Sequence, residues 1–298
     1  MNGLNKQITR IFISFFIILG LSQVLIAQDN SVVRVVTKDG NVYVGTVLSE
    51  NDENLVLMEN NIGRITIPKS NIKSISEVDP DQLKDGEFWH DNPAGTRYLF
   101  STSAMNLKKG EGYYQNTWIF FNNVNYGVTN NFSIGAGLIP TFLFGSGATP
   151  VWLLPKVSLP ISNENLHIAA GGMFGGVIGD GESFGLGLAY GNVTVGNLDH
   201  NVTLGIGFGY GDGEWSDVPL LNFNGMTRLN RTVYLITENY MVSVGGETAG
   251  FLSAALRWAP ENFAVDFGLF RPYVVGESIG GGFIGVPWLG VTLPFGRR

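Results

Sequence analysis

The sequence contains no cysteine. That excludes disulfides, thiolate zinc sites, iron–sulfur clusters, a cysteine nucleophile and a lipid-modified N-terminal cysteine. Histidine is nearly as scarce, with only His90, His167 and His200. Asp, Glu, Lys and Arg make up 14% of the chain, against about 25% in an ordinary soluble domain. The formal net charge of −7 argues against nucleic acid as a partner, because phosphate binding needs a basic face. What is abundant is apolar and small: 44% hydrophobic residues, 12% aromatics and 41 glycines in 298 residues, with a mean hydropathy of +0.15. Such a chain can bury too much surface to be disordered. Its glycines follow no three-residue period, so it is not collagen-like.

Residues 1–10 carry Lys6 and Arg10 and no acid, and residues 11–27 are apolar apart from Ser14, Ser22 and Gln23. The stretch ends at Ala27-Gln28-Asp29. A basic start, an apolar run and a small residue before a polar junction read as a signal peptide over residues 1–27. The alternative is a retained anchor helix, which needs about 20 apolar residues. Cleavage of such a signal puts the rest of the chain beyond the inner membrane.

Five short alternating runs follow within residues 32–78, with Asp39-Gly40 as a hairpin turn. They predict a small β-module. Residues 79–96 are acidic, proline-punctuated and non-periodic, which predicts a linker with His90 as a solvated side chain. The run Asp39-Gly40, Gly45-Thr46-Val47, Asp52 and Asn54-Leu55-Val56-Leu57 resembles the first motif of the Sm-like family. The family's second motif, which completes its RNA pocket, is missing, with Ile67-Pro68 near where it would stand. The resemblance therefore implies an SH3-like or Sm-like fold that serves docking or structure, not nucleotide binding.

From Arg97 onward apolar residues recur at period two in segments of about 10 residues. Examples are Val151-x-Leu153-x-Pro155-x-Val157-x-Leu159, Phe184-x-Leu186-x-Leu188-x-Tyr190 and Val202-x-Leu204-x-Ile206-x-Phe208-x-Tyr210. Strands with one apolar and one polar or small face are the signature of a transmembrane β-barrel. A soluble sandwich also alternates, but here short turns such as 129–131, 162–165, 197–200, 229–231 and 259–262 alternate with longer loops at 106–112, 143–150, 178–182, 211–217, 244–249 and 272–283. Dividing residues 97–298 at these connections, with 97–106 and 113–128 as the first two strands, gives about 12, the even number bacterial barrels have. The expected fold is thus all-β: an approximately 12-stranded antiparallel transmembrane barrel preceded by a small periplasmic β-module, in the outer membrane.

Aromatics at segment ends suggest interfacial girdles: Trp118, Trp152, Tyr190, Tyr210, Trp258, Trp288 and Phe295. Trp152 and Trp288 share parity with inward positions and can instead pack inside. Lys109-Gly110-Glu111-Gly112-Tyr113-Tyr114, Tyr126 to Ser133, Pro155-Lys156-Val157, Ile236 to Tyr240 and Pro287 to Phe295 resemble outer-membrane β-barrel proteins common in Bacteroidota-type bacteria. That resemblance implies fold and location but no catalytic motif.

A charge facing lipid at the midplane costs roughly 2–4 kcal/mol, so the charged strand residues are expected in the lumen. The predicted polar network is Lys156, Asn222, Asn224, Arg228, Glu238, Arg257 and Asp266. A hairpin around Pro260 sets Asp266 diagonal to Arg257, and one through Asn230 sets Glu238 opposite Asn222. Such a network either selects a small hydrophilic solute or fills the lumen as support. Gly135, Gly137, Gly171, Gly185, Gly187, Gly205, Gly207 and Gly209 are read as lumenal. They leave a narrow off-centre pore or let bulky side chains nest on bare backbone.

Ser–His chemistry needs a histidine beside a serine near the outer leaflet, and the three histidines all fall toward the other side. The chain is therefore expected not to be an enzyme, with no cofactor and no metal. The acidic loops around Asp180 and Asp212 lack the ligand count of a calcium site. The expected function is a passive channel or binding barrel for small solutes. The alternative is a non-conducting structural or assembly-coupled barrel that acts through its periplasmic module. Expected partners are outer-membrane lipid and lipopolysaccharide, the barrel assembly machinery and a periplasmic protein.

Overall fold

A computed structural model describes residues 31–59, 62–84, 87–162, 165–179, 185–211, 213–277 and 284–296. The expected signal peptide lies outside the described residues. The chain divides into two compact units, Met1–Trp89 and His90–Arg298.

The first unit holds a two-residue ladder, Leu83–Lys84 with Glu87–Phe88, and a main group of five strands: β1 (Val32–Thr37), β2 (Val42–Glu50), β3 (Asn54–Glu59), β4 (Gly63–Pro68) and β5 (Ile72–Glu77). They form one antiparallel sheet in the order β4-β3-β2-β1-β5. Val33 and Val35 of β1 alternate inward and pack with Leu55, Leu57 and Ile67, the period-two pattern of a half-buried sheet. Gly40 adopts a φ of +89° in the β1–β2 turn, the conformation that the Asp-Gly pair accommodates. Gly45 has a packing reason: a Cβ there would collide with the Met58 carbonyl on β3. Gly45→Ala is expected to destabilise this sheet by about 1–3 kcal/mol. Amide hydrogen exchange should accelerate across β2 and β3; unchanged protection there would contradict the packing argument.

The second unit is built on twelve strands: β6 (Gly112–Thr117), β7 (Phe121–Gly127), β8 (Phe132–Leu138), β9 (Ala148–Ser162), β10 (Leu166–Gly179), β11 (Gly185–Gly196), β12 (His200–Gly211), β13 (Leu220–Arg228), β14 (Val233–Val244), β15 (Glu247–Trp258), β16 (Ala264–Val274) and β17 (Val286–Phe295). Each pairs antiparallel with the next, and β17 pairs with β6, from Gly290 opposite Thr117 to Phe295 opposite Gly112. The sheet closes into a 12-stranded barrel with its backbone groups paired along the ladder. Its outer face is apolar: Leu204 is 60% exposed, Phe267 65% and Leu159 47%.

The strand number agrees with the sequence reading through two differences that cancel. Residues 97–106 form no barrel strand, and the single expected strand 113–128 is a hairpin, β6 and β7, folded at residues 118–120. Trp118 and Ile119 take left-handed φ values of 49° and 70° at that turn, a conformation rare for non-glycine residues and not signalled by either residue. Residues 106–112 accordingly lie beside the short turn 128–131: Gly110 N–H donates to Gly127 O at 2.9 Å, and Asn106 Nδ2 donates to Thr129 O at 3.2 Å. They are not an outer loop. The connections that follow Leu138, Gly211 and Val274 leave from the opposite end, as does the tight turn at 245–246.

Candidate functional site: a plugged lumen with a cavity above the plug

Residues 90–107 enter the barrel at its short-turn end and fold back out. Asn92 Nδ2 donates to Leu198 O at 2.8 Å. Tyr98 N–H donates to Ser101 O at 2.9 Å, and Ser103 N–H to Thr96 O at 3.0 Å, making a tight reverse turn inside the lumen. Arg97, Tyr98 and Leu99 are fully buried. Three consecutive amides at the tip, those of Leu99, Phe100 and Ser101, donate to the Glu238 carboxylate at 2.8 to 3.2 Å. A carboxylate that accepts several N–H groups in a dry site makes strong charge-assisted bonds.

A second anchor lies beside it. Arg257 grips Asp266 in bidentate fashion, Nε to Oδ1 at 2.6 Å and Nη2 to Oδ2 at 3.1 Å. Arg97 Nη2 reaches the same Oδ2 at 3.1 Å and also donates to Thr292 Oγ1. Arg257 donates as well to the plug carbonyls of Ala94 at 2.8 Å and Tyr98 at 2.6 Å. Lys156 Nζ donates to Thr102 Oγ1, Ser103 O and Met105 O at 2.6, 3.3 and 2.7 Å. Asn224 Nδ2 donates to Ser101 Oγ at 2.9 Å. Arg228 joins the Asp199 carboxylate at 2.9 Å to the His90 carbonyl at 3.0 Å.

The seven residues read as a lumenal network thus all face inward, and all but Asn222 hold the segment that the sequence reading made partly a linker and partly a strand. His90 is 8% exposed, not solvated. Burial first, and then the nearby Arg228 charge, push its imidazole below its ordinary value, partly opposed by its bond to the Asp91 carbonyl.

Two hairpin registers differ from expectation. Asp266 lies directly opposite Arg257, not diagonal to it. Glu238 lies opposite Asn224, while Asn222 faces Tyr240. Both hairpins turn one residue later than expected. In the second, the Asn230 side chain accepts from the Thr232 and Val233 amides and centres the turn on Arg231.

Sequence reasoning missed Arg97 and the wall residues that grip the plug, including Gln115, Thr194, Asn201 and Thr203. A signal was available. Tyr98, Leu99 and Phe100 are consecutive apolar residues among Thr96, Arg97, Ser101, Thr102 and Ser103, which is not period two.

Above the plug tip lies a cavity of about 790 Å³. Its walls are aromatic and aliphatic, including Trp118, Phe121, Trp152, Met173, Leu188, Tyr190, Leu220, Tyr240, Phe251, Phe270 and Trp288. Trp288 is wholly buried, with ring centres 4.9 Å from Trp118, 5.0 Å from Phe100 and 5.2 Å from Phe270. Trp152 donates to Asn123 Oδ1 at 2.5 Å. Lys156 is the one charged residue among the described residues that line the cavity, and no histidine lines it.

Trp118 and Tyr190 are therefore lumenal and do not belong to an interfacial girdle, whereas Trp258 and Phe295 are exposed at 53% and 42%. Gly185 and Gly187 face outward: on β11 the inward row is Leu186, Leu188, Tyr190, Asn192 and Thr194. The wall of this half is itself apolar, so apolar alternation does not say which face meets lipid. Of the two readings of the glycines, nesting is what occurs at Gly137, covered by Trp152 and Asn123, and at Gly171, covered by Tyr190.

The fold and site together define a closed, internally plugged 12-stranded antiparallel β-barrel with an apolar chamber on one side of the plug. Among solved structures the chain is similar to the KdgM porin in complex with disordered oligogalacturonate, at 9% identity and a TM-score of 0.42 over 63% of this chain and 98% of that one. It is also similar to a loop L8 deletion mutant of OmpT, an outer membrane protein of Vibrio cholerae, at 11% identity and a TM-score of 0.34 over 89% and 96%. Similarity this distant adds no weight, and the barrel rests on its own ladder. No protein-family model and no curated protein matches the sequence.

Proposed function

We propose that this chain is an outer-membrane β-barrel that binds a small, largely apolar solute in the outer half of its lumen. The plug closes the periplasmic half, and residues 32–78 form a periplasmic interaction module. The observation that carries this reading is the cavity: about 790 Å³, walled by aromatic and aliphatic side chains and floored by the plug tip. That volume is typical of small-molecule sites. Between the two sequence-based options, channel and binding barrel, the buried plug supports binding.

The apolar outer belt supports insertion in lipid, where a closed barrel leaves no free edge. Membrane lipid and lipopolysaccharide around the belt, and the barrel assembly machinery acting on β17, belong to the same reading. The wall is low on one side. Strands β6 to β8 have six or seven residues, short of the roughly 9–11 needed to cross the hydrocarbon core. Beside them Ile119, Phe142, Leu143 and Phe144 are 56–74% exposed. An apolar solute can therefore reach the cavity from the membrane side.

The intact chain in planar bilayers is expected to show no current above background. Intrinsic fluorescence from the cavity tryptophans should be quenched saturably by a brominated medium-chain alcohol. A steady open conductance, or quenching that rises only linearly, would overturn the reading.

A further inference from the structure

The cavity floor carries a built polar feature, and its meaning rests on the reading that the cavity holds a solute. Asn192 on β11 and Asn222 on β13 flank Gly205 on β12, each directly opposite it in the ladder. A Cβ on Gly205 would lie closer than 3.0 Å to both amide oxygens, so the two oxygens converge over bare backbone. Asn192 is 3% exposed. Its Nδ2 donates to the plug's Thr102 O at 2.9 Å, which fixes the amide orientation and turns Oδ1 toward Gly205. Both Oδ1 atoms are buried, and no donor among the described residues reaches either. Buried acceptors without donors are uncommon and costly, and mark a place where a partner is missing.

The surroundings narrow the partner. Among the described residues Lys156 is the only charge lining the cavity, and its protons already go to plug oxygens. An ammonium ligand would meet that positive charge with no carboxylate to offset it. A carboxylate ligand would set its negative oxygens against two amide oxygens. A neutral donor meets neither penalty.

We infer that Asn192 and Asn222 form the head-group site of the cavity, and that the ligand is a neutral amphiphile: an apolar body ending in a hydroxyl or amide N–H that donates to both oxygens across Gly205.

The test is isothermal titration of the full-length chain in amphipol with decanol, decyl methyl ether, decanoate and decylamine. Decanol is expected to bind about tenfold tighter than the ether, which has an acceptor but no donor. Asn222→Leu should abolish that preference, so that decanol and the ether bind the variant equally, with heat-modifiable gel migration confirming the fold. Equal binding of alcohol and ether to the native chain, or tightest binding of decanoate or decylamine, would overturn the head-group assignment while the cavity reading stands. Failure of all four probes to bind would overturn both.

Discussion

Deleting residues 90–105 is expected to turn a silent barrel into a conducting one. The ladder from β6 round to β17 uses none of these residues, so closure survives their loss. What disappears is the turn that fills the short-turn half of the lumen, along with the contacts that keep Arg257, Glu238 and Lys156 dry. Charged side chains left lining an open bore will hydrate, because an unpaired buried charge is far more costly than a solvated one. In planar bilayers the deletion variant should show discrete steps where the full chain shows none. Silence from a variant that still migrates as a heat-modifiable barrel would mean that the walls, not the plug, set the seal.

The second large effect concerns Asp266. This one carboxylate stands between two guanidinium groups, Arg97 and Arg257, and all three are at most 1% exposed. Asp266→Ala leaves both cations buried without their counter-charge, a change expected to destabilise the barrel by about 3–5 kcal/mol. The readout is the urea midpoint for conversion of the folded, fast-migrating band. Replacing all three residues together, as Arg97→Met, Arg257→Met and Asp266→Leu, should recover most of that loss, since a buried ion group often exchanges for apolar side chains at little net cost. Equal loss in the single and triple variants would show that the bonds from Arg257 to the plug carbonyls, not charge balance, dominate.

These variants separate what holds the plug from what the plug does. They also mark how far the sequence could be read. Lys156, Glu238, Arg257 and Asp266 were legible as lumenal because a charge on a strand between apolar neighbours has one tolerable direction. Their purpose was not legible, because Glu238, Arg257 and Lys156 bind mainly backbone amides and carbonyls of residues 94–105, which have no sequence identity to read, and Asp266 binds Arg97 on that same aperiodic segment. The hairpin at 118–120 was hidden for a related reason: Trp118-Ile119-Phe120 carries no turn residue. Face assignment failed on β11 because Leu186, Leu188 and Tyr190 look like a lipid face and instead wall the cavity.

Scarce charge, absent cysteine and abundant glycine, with period-two alternation, by themselves determined an all-β chain with a small N-terminal sheet and a long two-faced barrel. Alternation is a local consequence of strand geometry, and it survives in the sequence wherever one face meets an apolar surround. Only the tertiary structure decided that the lumen is plugged on one side and apolar on the other. That outcome depends on a segment with no strand period meeting side chains up to 195 positions away in sequence, and such pairing leaves no periodic trace.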